Sequence, residues 1–395
     1  MVCQLLHYRI TLNLEIMQVI KIQSKWLGLF CIFLQGCVYE YSPKLDKYEN
    51  LLTVYGIVTN DTGPYEVLLS RTTSVYNNIE IPEHNATVSI SDNKGNSVYL
   101  FEKEEGKYIT PDDYVGIIGN SYKLSITLST GKHYESTLVQ LIEVPEINQV
   151  EYELTTKNDA KTGEELQGYQ FYVDVNNNTT KQKYLRWEMD EIWEIYMPFP
   201  EINTYFDGRN MTEKYYPSIC WHYTKIDEIF VVNTEDYQSN SLKKLPINFT
   251  SANSSRLSVR YSLTVKQYAL SENSYSFWKG QAENTQQQGT LYNKQHYQVI
   301  GNIKSIENPD EVVLGIFEAS AVSSKQVFAN RPPIPIRSDY DFCIKKDLGA
   351  LTREERRRPY WAYIFIMGSY AVLNENCVDC TLSGGTPIKP NNWDN

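Results

Sequence analysis

A mainly β protein is expected from three features of this 395-residue chain. Short runs of strand-favouring residues recur, apolar and polar positions alternate within them, and turn residues separate them. From residue 51 to 141 the runs are LLTVYGIVT from Leu51, YEVLLSRT from Tyr65, ATVSISD from Ala86, SVYLFEK from Ser97, GKYIT from Gly106, SYKLSITLS from Ser121 and KHYESTLVQL from Lys132. In the sixth, Tyr122, Leu124, Ile126 and Leu128 alternate with Lys123, Ser125 and Thr127, so one set faces a core and the other water. Asp61-Thr-Gly-Pro64, Asp92-Asn-Lys-Gly95 and Ser129-Thr-Gly131 supply the turns. About seven strands in roughly 90 residues describe an immunoglobulin-like β-sandwich over 51–143. Glu143-Val-Pro145-Glu then reads as a linker, because proline cannot donate to a central ladder.

Residues 147–395 are expected to form a second β-rich domain. From Tyr184 to Met197 the period is two: Leu185, Trp187, Met189, Glu191, Trp193, Ile195 and Met197 share one face, and Arg186, Glu188, Asp190 and Glu194 the other. Glu191 is the single acid on the apolar face. With Trp187 and Trp193 it reads either as a ligand contact, a ligand-contacting or proton-handling carboxylate between two tryptophans with its pKa raised by desolvation, or as a structural carboxylate paired with an arginine or placed at a sheet edge. RLSVRYSLTVKQYAL from Arg256 is a further strand, and a helix is expected near 271–288, with Ser271 as its N-cap and Tyr275, Trp278 and Ala282 on one face. Val312 to Val322 reads as a strand after the Asn308-Pro-Asp310 turn, and the tail as loop.

The N-terminus carries an address. Trp26 to Leu34 is a nine-residue apolar run behind Lys21 and Lys25, too short for the roughly 20 residues of a spanning helix. It has the layout of a cleavable export signal over residues 1–36, for which Met17 would be a natural start. Leu34-Gln35-Gly36-Cys37 resembles a lipobox, in which the cysteine becomes an acylated N-terminus. Residues 37–50 would then tether a water-soluble body to a bilayer through two or three acyl chains on Cys37. Of the later cysteines, Cys220, Cys343, Cys377 and Cys380 suit two disulfides in an oxidising envelope, in any of three pairings. Cys377-Val-Asp-Cys380 would alternatively supply half of a zinc site.

Without its leader the body carries a formal charge of −13, against −11 for the whole chain, since Arg9, Lys21, Lys25 and Glu15 depart. Nucleic acid and acidic membrane surfaces are poor partners for it. Tyrosines number 31 against 13 phenylalanines, which suits exposed strands and contact surfaces. The sequence contains no G-x-S-x-G elbow, H-E-x-x-H helix, P-loop or G-x-G-x-x-G fingerprint. No catalytic residue, cofactor or metal is therefore expected.

Several short motifs in order carry a family resemblance: Leu51-Leu-Thr-Val-Tyr-Gly-Ile-Val-Thr-Asn60 with Gly63-Pro64-Tyr65, the run Ala86 to Gly95, Arg186-Trp187 with Glu191-Ile-Trp193, Cys220-Trp221, Phe277-Trp278, Gly301-Asn-Ile303, Val313-Leu-Gly-Ile-Phe317, Cys377-Val-Asp-Cys380, Gly384-Gly-Thr386 and Pro390 to Trp393. Together they resemble the Bacteroidota outer-membrane lipoprotein family catalogued as domain-of-unknown-function 4249. The resemblance implies an outer-membrane, lipid-anchored, surface-facing protein beside a TonB-dependent transporter, with no catalytic residues to carry over. The expected function is a ligand-binding or accessory subunit of a nutrient uptake system, its ligand unnamed. The alternative is a structural or adhesive surface lipoprotein without a small-ligand site. A hydrolase would need Glu191 to meet a second carboxylate or a histidine in a pocket.

Overall fold

A computed structural model describes residues 50–73, 80–159, 162–176, 182–199, 204–206, 211–213, 216–237, 241–286, 298–340, 343–355, 361–366, 369–391 and 393. The expected leader, Cys37 and all of the tether but Asn50 lie outside the described residues. In chain order the strands are β1 (Leu52–Val58), β2 (Glu66–Arg71), β3 (Ile81–Pro82), β4 (Thr87–Asp92), β5 (Ser97–Glu104), β6 (Lys107–Ile109), β7 (Ser121–Thr127), β8 (His133–Ser136), β9 (Val139–Gln140), β10 (Ile147–Asn158), β11 (Glu165–Asn176), β12 (Tyr184–Tyr196), β13 (Thr204–Phe206), β14 (Met211–Glu213), β15 (Ile219–Asn233), β16 (Ser241–Ser251), β17 (Arg260–Leu270), β18 (Ile303–Ser305), β19 (Val313–Ala319), β20 (Val322–Asn330), β21 (Lys346–Asp347), β22 (Trp361–Ile366) and β23 (Ser369–Asn374). One α-helix, α1 (Glu272–Gln286), is present among the described residues, and its Ser274 amide donates to Ser271 Oγ as expected of an N-cap. The protein is mainly β.

The first sheet has 11 strands in the order β18-β8-β7-β4-β5-β6-β2-β1-β19, with β3 on β2 and β9 on β7. Its alternation is the one the sequence predicts: in β7, Tyr122, Leu124 and Ile126 are buried and Lys123 and Ser125 are not. These side chains join Val54, Val67, Val88, Ile90 and Phe317 in one core. Local strands supply most of the sheet, but β18 and β19 arrive from far along the chain, and β19 runs parallel to β1 from Leu52↔Val313 to Val58↔Ala319.

The two ends of this path nearly meet. Ile300 bridges Leu314, and the buried Asn302 side chain both donates to Phe317 O (2.8 Å) and accepts from Phe317 N (2.9 Å). The approach is close enough to need glycine. A Cβ on Gly301 would lie 1.5 Å from Gly315 O, and one on Gly315, at φ +91°, 1.8 Å from Val54 O.

A three-stranded sheet (β10-β11-β16) and a four-stranded sheet (β15-β12-β17-β20) enclose a second core. Phe171 and Val173 from β11 and Leu245 and Ile247 from β16 meet Leu185, Trp187, Met189, Leu263 and Val265 from β12 and β17. The segment expected as a linker joins the two cores, with Val144 packed against both and Pro145 O accepting from Gln267 Nε2.

The tail departs from the loop expected of it. β21, β22 and β23 join β13 and β14 in a five-stranded sheet, β14-β13-β22-β23-β21. Trp-Ala-Tyr-Ile-Phe-Ile and Ser-Tyr-Ala-Val-Leu-Asn are strand-forming in composition. The glycine and proline residues around them had masked that signal.

Candidate functional site

The face of β12 turned away from the second core carries Arg186, Glu188 and Asp190. Period two puts these residues on one side, but they are not the solvated row their charges suggest. Lys225 on β15 reaches diagonally to Glu188 Oε2 (3.0 Å), Lys266 on β17 to Asp190 Oδ2 (2.8 Å), and the Tyr223 hydroxyl donates to Asp190 Oδ1 (2.9 Å). Each carboxylate on the central strand is thus gripped from the flanking strands, a cross-strand arrangement the pleat favours.

Arg186 anchors the row. It pairs with Glu188 and, at 3.3 Å, with Glu318 of β19, while its guanidinium lies 4.6 Å from the Tyr268 ring centroid and 4.4 Å from that of Trp278 on α1. Tyr55 of β1 meets Trp278 edge to face at 5.9 Å. The first sheet, the helix and the four-stranded sheet therefore converge on one arginine.

Two clefts open over this convergence. One, of about 340 Å³, runs between Arg186, Glu188, Trp278 and residues 225–229; the other, of about 310 Å³, runs between Lys266, Tyr268 and the Thr59–Leu68 segment. Both are lined by Tyr55, Glu188 and Lys225, so together they form a trough. The first owes its room to a bulge in which three residues of β15, 227–229, stand opposite the single residue Glu188.

The electrostatics follow from burial and partners. Burial alone would raise the Glu188 carboxyl, but Arg186 and Lys225 more than offset it and hold the pKa down at about 2. Glu318, wholly buried, is pushed up by desolvation against the pull of Arg186. Partial desolvation of its hydroxyl end, although the ring is exposed, and the neighbouring Asp190 carboxylate raise the Tyr223 hydroxyl to about 12. Ion pairs match the floor's lysines to its carboxylates, and tyrosine and tryptophan rings form its walls. Such a surface can hydrogen-bond and stack, and its low-pKa carboxylate is a poor base.

Of the three residues singled out on the apolar face of β12, Glu191 and Trp193 share Arg256 as a partner, and Trp187 lies in the second core. Trp187 is 1% exposed, in the second core, and its indole N–H donates to Gln267 Oε1 at 3.0 Å. Glu191 is buried, accepts from the Tyr261 hydroxyl (2.8 Å) and pairs with Arg256 (3.1 Å). Burial raises its pKa, and Tyr261 and Arg256 oppose the shift. Trp193 stacks on His222 at 5.2 Å and receives the Arg256 guanidinium on its ring.

The cysteines form two disulfides, Cys220–Cys380 and Cys343–Cys377. The first fastens the tail to β15, where Trp221 and Thr386 exchange two backbone hydrogen bonds of 2.9 Å. Trp393 completes the strap, buried against Trp221 and Phe328, with its N–H on Glu194 Oε2 at 3.1 Å.

Sequence reasoning missed Lys225, Lys266 and Tyr223, because a lone lysine in a strand has the pattern of a solvated residue. The alternation of β12 was the available signal: its second face is as regular as its first. A family model described as domain of unknown function (DUF4249) matches residues 38–326. No curated protein matches the chain.

Proposed function

Since the chain belongs to the DUF4249 family, we propose that it is a cell-envelope lipoprotein, anchored through acylated Cys37, that serves as a ligand-binding or accessory subunit of a TonB-dependent outer-membrane uptake system. The trough is the observation that carries this reading: aromatic walls and a fixed hydrogen-bonding floor form a recognition surface. The family match begins at residue 38, directly after the expected acylation site, which agrees with a mature protein starting at Cys37. We read the nearly closed first sheet, in which β18 and β19 are added to the local strands, as an enlarged immunoglobulin-like module that would hold the trough away from the membrane. We read the protein as a binder rather than an enzyme, because the two carboxylates of the trough floor, Glu188 and Asp190, are already paired with Lys225 and Lys266. Ligand and transporter are defined by experiment: the tagged full chain is used to recover its partner from outer membranes, and thermal shifts are measured against peptides, glycans and metal chelates. Recovery of a TonB-dependent transporter or a saturable shift supports the reading. An unmodified Cys37, no transporter and no shift with any probe would reject it.

A further inference from the structure

We propose that the open edge of β15 between Tyr223 and Asp227 accepts an extended peptide segment bearing a basic side chain. It would pair antiparallel just beyond the point where the chain's own tail leaves that edge. The inference rests on the trough being a binding surface and names what it takes.

β15 is an edge strand of the four-stranded sheet. Its first part is already extended in cis, since Trp221 N donates to Thr386 O and Thr386 N to Trp221 O, both at 2.9 Å. That pairing stops because the tail turns away at Gly384, whose φ is +86°. In an antiparallel ladder the groups pointing to one side recur at every second residue. Tyr223 and Lys225 therefore present N–H and C=O on the edge that Trp221 uses, and among the described residues no strand pairs with them there. An edge that takes an antiparallel bridge from its own chain at Trp221 has the geometry to take an extended segment beyond it.

The neighbouring side chains set the charge of the occupant. Lys225 is engaged by Glu188 and Lys266 by Asp190. Asp227 and Glu228, which line the cleft of about 340 Å³ beside this edge, have no ion-pair partner among the described residues. Arg186 lines the same cleft, is 3% exposed, and has an Nε donor without a hydrogen-bond partner. A lysine or arginine side chain of the peptide answers the two carboxylates. Tyr223, 63% exposed on the trough face, offers a ring for a cross-strand neighbour.

The test is amide hydrogen exchange on the full chain with three capped decapeptides. One alternates threonine and valine around two central lysines, a second has glutamates in place of the lysines, and a third has prolines there. The lysine peptide is expected to slow exchange at Tyr223 and Lys225 by about tenfold or more at saturation, while the glutamate peptide needs about tenfold higher concentration. The proline peptide is expected to do nothing. D227K/E228K, two exposed positions, is expected to reverse the lysine–glutamate preference while leaving the thermal melt in place. No slowing with any peptide, or equal slowing by the lysine and glutamate peptides, overturns the proposal. Peptide binding that leaves those two amides unchanged also overturns it, yet leaves the trough standing as a binding surface. Slowing as expected without recovery of a transporter would instead overturn only the uptake assignment.

Discussion

Arg186 Nη2 and Glu318 Oε2 stand 3.3 Å apart with both side chains withdrawn from solvent, and this pair joins β12 of the four-stranded sheet to β19 of the first sheet. Removing one partner of such a pair strands the other charge in a low-dielectric site, at a cost of about 3–5 kcal/mol. Arg186→Met is expected to lose that much stability in urea unfolding. The double variant R186M/E318L is expected to lose less than the sum of its singles, because neither charge remains. A strictly additive cycle would show that the two side chains are not coupled.

Glu188 predicts an acid response. Its carboxyl lies at about 2 in the fold against an ordinary 4.5. A depressed carboxylate contributes stability that is fully present above the unfolded pKa and is lost as pH falls through the folded one. The window is therefore from about pH 4.5 down to about pH 2, and the ceiling about 3 kcal/mol at 1.36 kcal/mol per unit. Urea midpoints measured at descending pH should fall in the native protein and fall less in Glu188→Gln.

The disulfides should govern the tail. Cys343–Cys377 closes a separation of 34 residues and Cys220–Cys380 one of 160. On chain entropy alone the shorter closure is worth about 4 kcal/mol. Reduction is expected to lower the melting temperature and to redden Trp393 emission as the strap leaves Trp221 and Phe328. C220S/C380S should reproduce the emission change without reductant, and Trp393→Phe should abolish it.

Gly315→Ala is expected to be among the most damaging single changes. Its Cβ would lie 1.8 Å from Val54 O at a backbone angle that disfavours any side chain. Either β19 separates from β1 or the ladder shifts, and both disturb the core around Phe317. A loss exceeding about 3 kcal/mol is expected; Gly95→Ala, at φ +90° with nothing within 4 Å, is the control and should cost far less.

The sequence by itself determined the class of the fold and most of the local strands of the first sheet, because period-two burial is written residue by residue. It also determined both faces of β12, the cap of α1, and the four cysteines beyond residue 37 that could pair as two disulfides. Which face of β12 would matter was decided only by the tertiary structure. Glu191 drew attention as a lone acid among apolar residues, and packing gave it Arg256 and Tyr261. Arg186, Glu188 and Asp190 had the pattern of an ordinary solvated row until Lys225, Lys266, Tyr268 and Glu318 arrived from strands up to 132 residues away. Long-range pairing of this kind leaves no local periodicity, since each strand satisfies its own alternation whichever neighbour it meets. The same reason hid β18 and β19 from the first sheet: a strand's pattern reports that it has a buried face, and only the folded chain selects the partner that covers it.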